Sequence, residues 1–236
     1  MIPRVAAALL LVTALRGCLT YEYEHEIWLQ VDGSGVVNVT GRPALWTAFK
    51  SLPLDEGDPE AMKVAARKLF EDSGLEVRRV TVTRRRGRRY LFVSAVFKDV
   101  NRISYTRAFP DLRVGLRRED GRLIMDGSWQ RPIEALGGVE KGADGLMAVR
   151  FHLPSKVYSH RHAADGVERG NILGWRQDTA AAFEGERLEF GATMDERSIL
   201  SSTVMLFAGA VVLAVVLLSL ALWAVVRQGR KDLGRA

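Results

Sequence analysis

Three histidines and an aspartate fall within the stretch HLPSKVYSHRHAAD, as His152, His160, His162 and Asp165. Imidazole nitrogens and carboxylate oxygens are the ligands zinc accepts, and an open zinc site activates water for hydrolysis. If the segment is extended, His160 and His162 project to the same side, because residues two apart share one face of a strand. A metal-dependent hydrolase built on His152, His160 and His162 is therefore one reading. The other is that these are ordinary solvated loop histidines, and this second reading is preferred. Other catalytic signatures are missing: there is no G-x-S-x-G, no H-E-x-x-H, no Walker loop and no CxxC. Gly33-Ser34-Gly35 is too short to cradle a phosphate and suits a turn.

Two further groups could bind rather than react. Arg84, Arg85, Arg86, Arg88 and Arg89 crowd one short turn. Guanidinium groups there can take lipid headgroup phosphates or a phosphorylated glycan through paired hydrogen bonds. The alternative, favoured here, is a solvated tip whose charge resists edge-to-edge aggregation. Trp175, in Gly170-Asn171-Ile172-Leu173-Gly174-Trp175, alternates with Leu173 and so belongs to the core of a strand. Its alternative role is to line a cleft and stack on a sugar or acyl ligand.

The elements that must position these residues lie between two apolar ends. Met1 to Arg4 is a basic start, Val5 to Leu15 an apolar core too short to span a bilayer, and small residues follow. Residues 1–17 therefore read as a signal peptide. Cys18 is the single cysteine of the 236 residues, so it has no partner within the chain. Leu15-Arg16-Gly17-Cys18 resembles the bacterial lipoprotein processing box, with Arg16 standing where the box carries a small or apolar residue. That resemblance implies cleavage after Gly17 and a lipid on Cys18; otherwise the signal peptide is an ordinary one and the cysteine incidental.

At the other end, residues 203–226 are free of charge, about 36 Å of helix against a hydrocarbon core of roughly 30 Å. Trp223 stands near the far end, and Arg227, Arg230, Lys231 and Arg235 follow with Asp232 as the sole acid. A basic flank is retained in the cytoplasm. Residues 203–226 therefore read as a spanning helix, 227–236 as a cytoplasmic tail and 18–200 as an extracytoplasmic domain. The net charge of +6, from 34 Lys+Arg and 28 Asp+Glu, loses its meaning as a nucleic-acid signal once divided this way. Arg4, Arg16 and the tail hold six of the basic residues and one of the acids, which leaves 28 and 27 outside. No nucleic-acid partner is expected.

Within the domain, YEYEHEIWLQV alternates with period two as a half-buried strand does, and DGSG turns it back into VVNVT. RPALWTAFKSLP reads as a short amphipathic helix. In residues 58–73, Asp58 can cap a helix, Pro59 suits its first turn, and Met62, Ala65, Ala66 and Leu69 share one face. LEVRRVTVTRRRGRRYLFVSAVF reads as a hairpin about Arg86-Gly87, and LRVGLRREDGRLIMDGSW as another about Glu119-Asp120-Gly121. Residues 130–144 read as a glycine-rich loop. GLMAVRFHLP, GNILGWRQ and ERLEFGATM are further strands, KDVNRISYTRAF a second short helix, and TAAAF one helical turn. The fold class is thus α+β: a curved, mostly antiparallel sheet of hairpins with one main helix over 58–73 and a C-terminal transmembrane helix.

The order of a lipoprotein box, hairpins broken by one helix, the Gly170–Trp175 pattern, a last strand and a basic-tailed spanning helix resembles the LppM-like lipoprotein domain family of actinobacteria and other bacteria. The resemblance implies a curved sheet with an apolar cleft suited to lipid or glycolipid and no established catalysis; the cleft is expected beneath the helix 58–73, and no cofactor is expected. The expectation is a bacterial cytoplasmic-membrane lipoprotein that binds membrane lipid, glycolipid or an envelope protein partner.

Overall fold

The computed structural model describes residues 21–132, 145–164, 167–168 and 171–233. The signal peptide, Cys18, Asp165, Gly170 and most of the expected loop 130–144 lie outside them.

Alternation dictates the strands. In β1 (Tyr23–Leu29) and β2 (Gly35–Gly41) every second residue is buried. Gly33, at φ +86°, makes the turn, and Asp32 accepts hydrogen bonds from the Ser34 amide and hydroxyl. Helix α1 (Pro43–Lys50) follows, with Pro43 in its first turn. Helix α2 (Pro59–Asp72) is capped by Asp58, whose Oδ1 accepts from the Glu60 and Ala61 amides at 3.0 Å each. Replacing such a cap by alanine costs about 1 kcal/mol. Gly74, at φ +77°, ends it.

β3 (Glu76–Arg85) and β4 (Arg88–Phe97) form a hairpin in which Arg86 and Gly87 both have positive φ, the geometry of a type I′ turn. After the short α3 (Val100–Ile103), β5 (Leu112–Glu119) and β6 (Arg122–Trp129) repeat that turn at Asp120 and Gly121. Then come β7 (Leu146–His152), β8 (Val157–Arg161), β9 (Val167–Glu168), β10 (Ile172–Asp178), α4 (Thr179–Phe183) and β11 (Leu188–Asp195).

The fold is α+β and mostly antiparallel, as expected, but the strands divide into two sheets. One has seven strands in the order β3-β4-β2-β1-β7-β10-β9, and the other four in the order β5-β6-β11-β8. The β1–β7 pairing is parallel. Both sheets are apolar on the faces they turn toward each other. Phe190 of β11 lies 5.4 Å from Phe151 and 5.6 Å from Trp175, ring centre to ring centre, and Phe49 of α1 lies 4.8 Å from Trp129. Gly127 permits this closeness: a Cβ there would sit 2.3 Å from the Phe190 ring.

Helix α5 (Ile199–Leu233) leaves directly from β11, and the Ile199 amide donates to the Pro154 carbonyl at 3.1 Å. Its stretch Thr203–Trp223 is long and apolar enough to cross a membrane, and none of it is buried against the domain.

Candidate functional site: an arginine-rimmed groove on the four-stranded sheet

The register of the smaller sheet decides what its open face presents. Leu112, Val114, Leu123, Met125, Phe190 and Met194 point to the core. Their neighbours must therefore point out, and strand pairing sets Gly115 beside Asp126, Asp126 beside Gly191 and Gly191 beside Arg161. The outcome is a floor of small residues, Gly115, Ser128, Gly191 and Thr193, bordered by long charged ones.

Three adjoining clefts run along this face. The first, about 410 Å³, is lined by Ser104, Tyr105, Arg113, Asp126, Arg161, Arg187 and Glu189 among others. A second, about 500 Å³, shares Arg113, Ser128 and Arg187 with it and continues past Gln130 and Arg131. A third, about 400 Å³, shares Asp126 and Arg161 and extends to His160, His162 and Thr193. The charges are held in place. Arg161 lies between Asp126 at 3.7 Å and Glu189 at 3.6 Å, Arg187 is 3.8 Å from Glu189, and Arg117 is bonded to Asp126. Arg113 donates to the carbonyls of Ser104 at 2.8 Å and Leu112 at 3.1 Å. Tyr105 stands at the rim with 87% of its surface exposed, an aromatic face without a covering.

Guanidinium donors alternating with carboxylate acceptors, over a floor with few side chains and beside a free aromatic ring, match a polyhydroxylated ligand that also carries negative charge. Hydroxyls can give to Asp126 and Glu189, anionic oxygens can accept from the arginines, and a sugar ring can rest on Tyr105.

Beneath the groove lies a second polar cluster, closed to solvent. Asp111, just before β5, meets Lys50 from the end of α1 at 3.0 Å. Its other oxygen accepts from the Tyr23 hydroxyl at 3.1 Å and Trp129 Nε1 at 3.0 Å. Lys50 also donates to the Ala108 carbonyl at 2.6 Å and lies 4.4 Å from the Phe109 ring centre. His25 Nε2 is 3.3 Å from the Tyr23 oxygen and 3.5 Å from Asp111. Because Tyr23 gives its hydrogen to Asp111, this pattern assigns the His25 hydrogen to Nε2 and leaves Nδ1 bare, without a partner. Burial lowers the His25 pKa to about 3, with Asp111 opposing and Lys50 adding to the shift. Burial also lowers the Lys50 pKa, against the pull of Asp111, and raises that of Tyr23 well above its ordinary value, with Asp111 reinforcing. The side chains of the cluster are buried, and Asp111 also borders the second cleft from below. The cluster ties β1, α1, the loop before β5 and the end of β6 into one piece.

The sequence-derived candidates are dispersed. His152 lies on the outer face of the larger sheet, 2.9 Å from Glu26 and stacked on Trp28 with ring centres 4.4 Å apart. Beside it, Arg150 pairs with Glu24 at 3.1 Å and Glu26 at 3.5 Å. His160 and His162 belong to the edge of the other sheet, and only they share a cleft. Among the described residues no group of three or more His, Cys, Asp or Glu can hold a metal. The three histidines are therefore not brought together, because β7 and β8 enter different sheets. The five arginines sit at the β3–β4 tip: Arg88 pairs with Glu22 at 3.3 Å and Arg85 covers Tyr90. Trp175 is 1% exposed, packs on Phe151 and Phe190, and donates to the Arg161 carbonyl. The space beneath α2, expected to hold an apolar cleft, is filled by Met62, Ala66 and Phe70, the last lying against Trp46 and Phe109.

The groove residues Tyr105, Arg113, Asp126, Arg161, Arg187 and Glu189 were not singled out by sequence reasoning. Arg113 and Asp126 have a sequence signal in the polar half of the alternation in LRVGLRRE and RLIMDGSW; the pairing that joins them to the others is not local.

No family model and no curated protein matches the chain. Among solved structures it is similar to the folded domain of the Mycobacterium tuberculosis LppM protein, determined by NMR. The TM-score is 0.40 and the identity 17%, over 75% of this chain and 90% of that one. A likeness of that size is distant and assigns neither activity nor ligand.

Proposed function

We propose that the chain is a membrane-anchored envelope module that binds rather than catalyses, taking the charged headgroup of a glycolipid in the groove of the four-stranded sheet. In this reading α5 crosses the bacterial cytoplasmic membrane once with its basic tail inside, the two-sheet domain lies on the extracytoplasmic side, and Cys18 carries a lipid. The observation that carries the ligand class is the pairing of Arg161 and Arg187 with Asp126 and Glu189 beside the exposed Tyr105. Proximity supports it. The groove strand β11 ends at Asp195 and α5 begins at Ile199, so the Gly191–Thr193 end of the groove is only a few residues from the start of that helix.

Native mass spectrometry of the full chain, purified in mild detergent, tests the proposal. Wild-type protein should retain glycolipid adducts that Arg161→Gln with Arg187→Gln loses. Equal adducts on both proteins, or none on the wild type, would refute the groove as the site.

A further inference from the structure

The two routes to the membrane leave the domain at opposite ends of its strands. Helix α5 starts beside Pro154, two residues beyond the end of β7. Parallel pairing places that end next to Trp28 of β1, and from there the ladder runs through Leu29 and Gly35 to Phe97 of β4. At the other end Tyr23 pairs with Gly41, and Gly41 with Leu91. Beyond Leu91 extends the arginine tip, where Glu22 binds Arg88 at 3.3 Å and the Tyr90 hydroxyl at 3.1 Å. The N-terminal end of the domain and the tip are thus together, and Phe97 is about 30 Å from Arg88 along β4.

Three residue steps separate Cys18 from Tyr21, a reach of at most about 11 Å. A domain standing upright on α5 would hold Tyr21 much farther than that from the bilayer. We infer that the domain lies with its strands along the membrane surface, and that Arg84, Arg85, Arg86, Arg88 and Arg89 form a second contact with anionic lipid headgroups. The orientation rests on the proposed lipid at Cys18. The lipid contact has its own support in charge: Arg84 faces Arg89 and Arg85 faces Arg88 across the hairpin, a concentration of like charge that headgroup phosphates neutralise. Arg84, Arg85, Arg86 and Arg88 are exposed. Each arginine beside an anionic surface strengthens the contact about fivefold.

The test uses the full lipidated chain in vesicles of phosphatidylglycerol and phosphatidylcholine containing a headgroup-labelled acceptor lipid. Donor dyes are placed at the tip through Arg84→Cys, or at the α5 end through Glu119→Cys. Similar energy transfer from both positions is expected. Transfer that is strong from Glu119 and weak from Arg84 would overturn the lying orientation while leaving membrane anchorage intact; weak transfer from both would instead refute the anchoring by α5. Changing the remaining four tip arginines to glutamine, or using phosphatidylcholine alone, should lower transfer from Arg84 only. Unchanged transfer in both would overturn the arginine contact even if the domain lies flat. In Cys18→Ser the tip should keep part of its transfer on anionic vesicles, and complete loss would show that the arginines hold nothing.

Discussion

Asp111→Leu removes the acceptor on which the buried cluster converges, and the structure sets the cost. Lys50 would be left as a cation without exposure, with one carbonyl partner, while the Tyr23 hydroxyl loses its acceptor and Trp129 Nε1 its oxygen. Breaking a buried ion pair from one side costs about 3–5 kcal/mol. For a domain of this size each kcal/mol lowers Tm by about 2–4 °C, so a fall of roughly 6–20 °C is expected. Lys50→Met should cost a comparable amount, because it strands the Asp111 carboxylate. The double variant removes both charges and should recover part of the loss, giving a coupling energy of about 2 kcal/mol or more between the two positions. Trp129 reports directly, so the assay is tryptophan fluorescence through thermal melts of the full chain in detergent, at neutral pH. Single variants melting within about 2 °C of wild type, or a double variant melting at the sum of the two losses, would refute the view that Lys50 and Asp111 act as one unit.

His25 makes the domain acid-sensitive. With its pKa at about 3 when folded and 6.5 when unfolded, the unfolded chain binds the extra proton between those values, so stability falls as pH drops from 6.5 toward 3, by up to about 5 kcal/mol. Urea titrations at successive pH values should show that slope reduced in His25→Leu. Trp175→Ala should cost about 3–5 kcal/mol by opening a void against Phe151 and Phe190, read as a lower melting temperature; an unchanged melt with altered ligand adducts would move Trp175 into the binding site. Tyr105→Ala should leave the melt within about 0.5 kcal/mol of wild type and weaken glycolipid retention in native mass spectrometry. Cys18→Ala should stay in the membrane fraction, because a spanning helix anchors far more firmly than a single acyl chain.

Local chemistry was readable wherever one segment carried it. Asp58 and Pro59 announced α2, Arg86-Gly87 and Asp120-Gly121 their hairpins, and an uncharged run the helix α5. The division into two sheets was not readable, since strand alternation says which residues are buried but not against which partner. The same gap separated His152 from His160 and His162. The buried cluster left a partial trace: Tyr23, His25, Ile27 and Leu29 occupy one side of the same alternation, which places a histidine among core residues. Lys50 and Asp111 left none, because the fold that buries them joins segments far apart in the chain. The groove was hidden for that reason too, being a property of register rather than of any one strand.

The parallel pairing of β1 with β7 carries a kinetic consequence. During synthesis β2, β3 and β4 can assemble against one side of β1 soon after they appear, whereas β7 begins only at Leu146. Until then the other edge of β1 has unpaired backbone groups and the apolar residues Tyr23 and Ile27 beside it, an edge able to recruit the wrong strand. Closing a gap on the order of a hundred residues adds little to the equilibrium cost but slows the search. The strand that closes the smaller sheet, β11, emerges immediately before the apolar helix α5, so the domain can first complete its fold only when most of the chain has been made. Incomplete chains would present that open edge, and any factor that shields such edges would act on them before β7 and β11 arrive.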